Sequence, residues 1–249
     1  MGKLDGRVAV VTGGGTGLGR QISDVLAEEG ATVVIASRKL DVCEKAAAEI
    51  RAEYGGEALG VACNISHWDE CESLVKTVHE RFGRTDVLVN NAGVALPYRD
   101  PAELTERLWR KMLDSNLMGA VALSQGFGGL MADAGRGSIV NITSTAVLRP
   151  RDPYLPYAVA KAGLTTLTQG MAQTLGPSGV RVNALQCGPF HTKMSSYFDE
   201  ETVKAVESTS ALRRIADARE IRGAAVYLAS DDSAYVTGAV LEISGGMTW

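Results

Sequence analysis

Tyr157 and Lys161, in the stretch Tyr157-Ala-Val-Ala-Lys161, are a phenol and an ammonium that would stand one turn apart on one face of a helix. A phenol titrates near pH ~10 in water, and a fixed positive charge beside it favours the ionised form. Such a pair makes Tyr157 a candidate general acid or base. By itself the spacing fits equally well two unrelated side chains on a solvated helix face.

Other residues of the same chemical interest precede it. Ser144 closes an apolar run, Ile139-Val-Asn-Ile142, and lies thirteen residues before Tyr157. Asn116 sits in Leu113-Asp-Ser-Asn-Leu-Met-Gly119, where Asp, Ser, Asn and Gly are poor residues for a helix interior and predict a local break inside a long helix. Backbone groups released by a break are able to hold water. Pro156, immediately before Tyr157, suits a rigid entry into a helix.

These side chains need elements to position them. From Arg7 onward, short β-branched runs alternate with segments of helical period. The expected strands are Val8–Val11, Thr32–Ala36, Ala58–Cys63, Val87–Asn90, Gly137–Ile142, Arg181–Gln186 and Ala239–Ile243. The expected helices are Leu18–Glu29, Leu40–Tyr54, Asp69–Phe82, Thr105–Ala132, Leu155–Leu175 and Ala218–Ser230. This order predicts an α/β fold, a doubly wound parallel sheet of about seven strands with helices on both faces. No repeat, linker or low-complexity tract interrupts residues 1–249, so one domain is expected, with a substrate loop or lid around 188–215.

The first strand runs into Thr12-Gly-Gly-Gly-Thr-Gly-Leu-Gly19, and a helix follows at once. Gly13, Gly15, Gly17 and Gly19, with Thr16 and Leu18 between them, would let the backbone turn sharply toward a pyrophosphate, whose charge meets open amides and the helix dipole. The second strand ends Ala36-Ser37-Arg38. An acidic residue there would bind the ribose hydroxyls of NAD, whereas Ser37 and Arg38 can accept an additional phosphate, so NADP is favoured and NAD remains possible. Asn64, after the third strand, suits a purine edge or a turn, with Ile65 next to it. Asn90-Asn-Ala-Gly93 puts small and amide residues at the fourth strand's end, where flat ligands of open α/β sheets lie.

Together these residues resemble the short-chain dehydrogenase/reductase family in its single-domain Rossmann form. The resemblance spans nearly the whole chain and rests on Thr12–Gly19, Asn90–Gly93, Asn116, Ser144, Tyr157 with Lys161, Asn183, Gly188, Thr192, Tyr235-Val-Thr-Gly238 and Gly245-Gly246. It implies a tetrad of Asn116, Ser144, Tyr157 and Lys161 that interconverts a ketone and a secondary alcohol by hydride transfer. Tyr157 would exchange the proton, Ser144 would bind the substrate oxygen, Lys161 would lower the Tyr157 pKa and hold the nicotinamide ribose, and Asn116 would anchor a water. It implies cofactor contacts from Gly13, Gly15, Thr16, Gly17, Leu18, Gly19, Ser37, Arg38, Asn64, Ile65, Asn90, Ala92, Gly93, Tyr157, Lys161, Gly188, Phe190 and Thr192.

Three positions depart from the family pattern. Cys187 replaces a Pro before Gly188, Asn64 an Asp at the adenine, and Ser244 an Asp before the last glycines. Cys187 is expected to be a packing variant. Substrate walls are expected from Val94–Arg99, Thr145–Pro156 and Pro189–Phe198, mixing Leu96, Tyr98, Met194, Tyr197 and Phe198 with Arg149, Arg151 and His191. Such walls suit a small carbonyl or alcohol substrate: a cyclic or aliphatic ketone, a polyol or a hydroxy acid. An NAD-dependent sugar-acid or polyol dehydrogenase, a 3-oxoacyl-carrier-protein reductase and a non-catalytic dinucleotide-binding regulator are the other readings. Only Arg136 supplies a basic residue at the two helix ends that carrier-protein reductases use.

Composition narrows the partners. A formal charge of −4 and the absence of any Lys/Arg run give no footprint for nucleic acid or an anionic membrane. The four cysteines and three histidines show no metal-ligand spacing, and the thiols read as reduced in a cytoplasmic setting. No apolar run reaches the ~18 residues of a membrane span. A homotetramer is the family expectation, with Gly119, Ala120, Gly163 and Gly170 allowing close helix approach.

Overall fold

The computed structural model describes residues 2–150, 152–192, 195 and 199–247. Seven strands, β1 (Val8–Thr12), β2 (Thr32–Ser37), β3 (Ala58–Ala62), β4 (Val87–Asn90), β5 (Gly137–Ser144), β6 (Val180–Cys187) and β9 (Val240–Ile243), form a sheet in the order β3-β2-β1-β4-β5-β6-β9. Every pairing is parallel. All residues of β1 and β4 are buried, as an apolar run covered on both faces requires.

Helices α1 (Gly17–Glu28), α2 (Leu40–Tyr54) and α8 (Arg222–Ala229) supply Ile22, Leu26, Ile50 and Leu228 to the core on one face. On the other, α3 (Trp68–Phe82), α5 (Gly119–Asp133) and α6 (Leu155–Leu175) supply Leu74, Leu123, Phe127 and Ala172. Strand order reverses between β1 and β4, which opens a crevice at the carboxyl ends of the strands. Ser37, Asn90, Ser144 and Cys187 are each the last residue of their strand, so all arrive at that edge.

The expected break at Asn116 is real. Helix α4 (Glu106–Leu113) passes through a π-helical turn, Asp114–Met118, before continuing as α5. Three elements were not expected from sequence: the two-residue strands β7 (Phe190–His191) and β8 (Ala216–Asp217), which pair in parallel, and α7 (Glu200–Thr209), which has no buried residue. All three lie in or at the edge of the region expected to be a substrate loop. Of the small residues expected to admit a partner helix, Gly119 and Gly163 are filled from within the chain: a Cβ would lie 2.3 Å from the Ile65 carbonyl oxygen and 2.8 Å from Leu117, respectively. Gly170 faces open space.

Candidate active site

The glycine turn leaves β1 with Gly13 at φ +65° and enters α1 with Gly17 at φ +57°, backbone that only glycine adopts readily. A Cβ on Gly19 would sit 2.2 Å from the Gly13 carbonyl oxygen, so the turn closes only with glycine there. Thr16 stands at the N-cap of α1 without a side-chain cap bond, which leaves first-turn amides unmatched by that side chain. Leu18 anchors the turn by packing on the core. A hydrogen-bond staple ties this turn to the fourth strand: Thr12 Oγ1 accepts from the amides of Asn91 and Ala92, each at 3.0 Å, and Asn91 Nδ2 donates to the Thr12 carbonyl at 2.9 Å.

Asn91 was not singled out from sequence, and Asn90 was. The Asn90 side chain turns into the core, donating to Ser124 Oγ at 3.0 Å and to Asn141 Oδ1 at 2.8 Å, while Asn141 donates to Thr168 Oγ1 at 2.9 Å. Only the main chain of Asn90 meets the crevice edge. Ala92 and Gly93 follow it, half-buried.

At the carboxyl end of β2, Ser37 Oγ lies 3.0 Å from Cys43 Sγ. Arg38 is exposed and has no hydrogen-bond or ion-pair partner among the described residues. Asn64 adopts the turn role, its Oδ1 accepting from Ser66 N at 3.3 Å, while its own amide donates to Glu70 at 2.7 Å. Ile65 packs against the π turn at Gly119.

At the carboxyl end of β6, Gly188 N donates to the Ile243 carbonyl at 2.8 Å, and a Cβ on Gly188 would lie 2.9 Å from Ser244 Cα. Phe190 is buried in the core, so its main chain is the part available to a ligand. Thr192 closes a small turn, with its amide donating to Ser195 Oγ at 3.0 Å, and lies against Gly17 of the glycine turn.

The four tetrad residues converge between these ends. Asn116 donates from Nδ2 to the carbonyls of Val94 and Met112, both at 2.9 Å, and accepts from Val94 N at 3.1 Å. Its side chain therefore pins the Gly93–Val94 segment to the π turn. A Cβ on Gly93 would lie 2.5 Å from Asn116 Oδ1 and 3.4 Å from Lys161 Nζ. Lys161 is buried, and its ammonium donates to the Ile142 carbonyl at 2.8 Å. Burial lowers Lys161 to about 8.

Burial also pushes the half-buried Tyr157 phenol up to about 12, opposed in part by its hydrogen-bonding interaction with Ser144. Burial is the main cause of the raised phenol, and the Lys161 ammonium gives its hydrogen bond to the Ile142 carbonyl. Cys187 pairs in register with Ser144, is buried, and has its thiol pushed up to about 12 by that burial, with Lys161 acting in the opposite sense. A protonated thiol packed in the core fits a packing variant.

The substrate side is built by two loops clasped together. Tyr98 is buried, its hydroxyl donates to the Asp152 carboxylate, and its amide donates to the Pro153 carbonyl at 3.1 Å. Thr145 Oγ1 donates to Met247 Sδ at 4.0 Å, bringing the C-terminal segment into the wall. Asp152 lies within the expected wall Thr145–Pro156, whereas Met247 has no local sequence mark, since a contact between distant segments leaves no local pattern. Arg149 and His191 are exposed, whereas Arg151, Met194, Tyr197 and Phe198 lie outside the described residues. Among the described residues no group of three or more His, Cys, Asp or Glu side chains is arranged to hold a metal ion, and no helix is long and apolar enough to cross a membrane.

A family profile described as enoyl-(acyl carrier protein) reductase matches residues 13–248. The short chain dehydrogenase/reductase astE of Aspergillus oryzae is 36% identical over 250 residues, covering 98% of this chain and 96% of the relative. The chain belongs to the short-chain dehydrogenase/reductase family. Two solved structures of similar chains carry different cofactors. A 7α-hydroxysteroid dehydrogenase complexed with NADH and 7-oxo glycochenodeoxycholic acid superposes with TM-score 0.93 at 31% identity, covering 98% of this chain and 96% of that one. The L-sorbose reductase of Gluconobacter frateurii, complexed with NADPH and L-sorbose, gives TM-score 0.92 at 27% identity, covering 99% and 98%. As a short-chain dehydrogenase/reductase the protein is an oxidoreductase acting between CH–OH and C=O and binds a nicotinamide dinucleotide.

Proposed function

We propose that the protein is an NADP(H)-dependent oxidoreductase that interconverts a ketone and a secondary alcohol. The observation that carries this reading is the meeting of Ser144, Tyr157 and Lys161 at the carboxyl ends of β5 and β6, beside the glycine turn and the Asn116-pinned Gly93–Val94 segment. The residues present fit a dinucleotide: the turn from Gly13 to Gly17 brings bare backbone to the crevice, and its amides face the N-terminus of α1.

The dinucleotide, when bound, supplies or accepts the hydride. Tyr157 exchanges the proton with the substrate oxygen, and its raised phenol keeps that proton available for reduction at neutral pH. Ser144 donates a hydrogen bond to the same oxygen as negative charge develops on it. Lys161, once turned from Ile142 toward the nicotinamide ribose, places its charge where it favours the tyrosinate needed for alcohol oxidation. The π turn at Asn116 holds the water that links Lys161 to solvent.

Ser37 and the unpaired Arg38 support NADP over NAD. The likeness to L-sorbose reductase supports a polyol as the second substrate reading. A cytoplasmic homotetramer completes the proposal, with the open face at Gly170 available to a partner helix; sedimentation at micromolar concentration tests the assembly, a monomer contradicting it.

The activity is tested by following absorbance at the reduced-nicotinamide band with NADPH and NADH in parallel against ketones, polyols and hydroxy acids. Tyr157→Phe should reduce turnover by ~10²–10⁴-fold. A variant that keeps most of its turnover with a good substrate would refute the assignment.

A further inference from the structure

A groove of about 560 Å³ is lined by Arg38 after β2, by Asn64 after β3, and by Arg107, Arg110 and Lys111 of α4. Ser66 and Ser115 also line it, and their hydroxyls pair at 2.9 Å. The cations are not equivalent. Arg110 donates to Glu106 at 2.7 Å and is also within the field of Asp114, so its charge is largely answered. Arg107 and Lys111 are exposed and, like Arg38, have no acidic partner among the described residues.

Arg107 and Lys111 are four residues apart, one turn of α4, which puts them on the same helix face. Like charges so placed repel each other. Both line the groove together with the strand-end Arg38, and the carboxylates of Glu106 and Asp114, which lie with Arg110, line it as well. A concave surface that gathers three unanswered cations focuses positive potential on whatever enters. The chemistry it recognises is a small anion carried on an adenosine. A plain ribose hydroxyl pair would give these cations nothing to neutralise.

We propose that Arg107 and Lys111 act with Arg38 as a cation clamp for the 2′-phosphate of the dinucleotide's adenosine, so that cofactor selectivity is set jointly by the end of β2 and by α4. This rests on the NADP reading above and deepens it. Helix α4 leads directly into the π turn that carries Asn116, so the clamp also joins the cofactor's adenosine end to the element that pins Gly93–Val94.

The test is calorimetric titration of the full-length protein with NADP⁺ and NAD⁺ at low and at raised salt, in wild type and in the single variants Arg38→Ala, Arg107→Ala and Lys111→Ala. Lys76→Ala, a charge loss on α3 away from the groove, is the control. Each helix variant should lower the NADP⁺-to-NAD⁺ affinity ratio by about tenfold, the loss of one charge-assisted contact to phosphate, and Arg107→Ala combined with Lys111→Ala should lower it further. Wild-type affinity for NADP⁺ should fall more steeply with salt than affinity for NAD⁺. If Arg38→Ala lowers the ratio while Arg107→Ala and Lys111→Ala leave it at the Lys76→Ala value, the clamp is overturned and the NADP reading stands. If wild type binds NAD⁺ at least as tightly as NADP⁺, both are overturned.

Discussion

The Lys161 ammonium lies 5.9 Å from the centre of the Tyr157 ring and donates its hydrogen bond to the Ile142 carbonyl at the end of β5. Two groups that stand one turn apart on α6 therefore do not share a charge in this state. Burial moves each toward its neutral form, with the phenol near 12 and the amine near 8.

Lys161 should make stability depend on pH in a definite sense. Its folded value of about 8 lies below the 10.5 usual for a lysine. Between those values the unfolded chain binds more protons, so stability rises with pH across that window, and the penalty for burying the charge is full below it. Lys161→Met lacks the titration. Urea unfolding of both proteins at pH 7 and pH 10.5 should show the wild type gaining on the variant by about 3 kcal/mol at most as pH rises. A wild type that loses ground to the variant over this interval would mean that the fold stabilises the ammonium.

Gly93 should not tolerate a methyl group. A Cβ there meets Asn116 Oδ1 at 2.5 Å and approaches Lys161 Nζ to 3.4 Å, and neither group sits on a surface able to give way. Gly93→Ala must displace the Asn116 amide from Val94 and disturb the setting of Lys161. Overpacking of this kind costs ~1–3 kcal/mol of stability. The steady-state turnover number should fall by at least about tenfold, since misplacing catalytic groups by about an ångström is enough for such losses. Turnover within a factor of two of wild type would show that the Asn116 tie is not needed.

Much of this arrangement is legible in the residues themselves. Strands β1, β2 and β4 are built on continuous apolar runs, and the π turn announces itself because Asp114, Ser115, Asn116 and Gly119 all disfavour a helix interior. Helix α7 escaped notice because none of its residues is buried, so no apolar stripe marks it. The neighbouring amides Asn90 and Asn91 could not be told apart by type. Strand register decides that the first faces the core and the second the glycine turn. The contacts of Tyr98 with Asp152, of Thr145 with Met247 and of Lys161 with Ile142 join segments brought together only by the finished fold.

Beneath the site, Asn141 is the bridge of a buried polar chain from β4 through β5 to α6, the helix that carries Tyr157 and Lys161. It is fully buried, and Asn90 Oδ1 at one end already has no partner among the described residues. Asn141→Leu keeps the branched shape but removes an acceptor from Asn90 and a donor from Thr168. Each deserted buried group costs ~1–3 kcal/mol, although Ser124 remains for Asn90 and Leu164 for Thr168. The single variant should therefore lose ~2 kcal/mol or more in urea unfolding. Replacing both amides together with apolar side chains removes the Asn90–Asn141 bond along with both of its partners, so Asn90→Leu combined with Asn141→Leu should cost less than the two single changes added. Strict additivity in that double-mutant cycle would show that the chain of amides is a set of independent contacts and does not couple the sheet to α6.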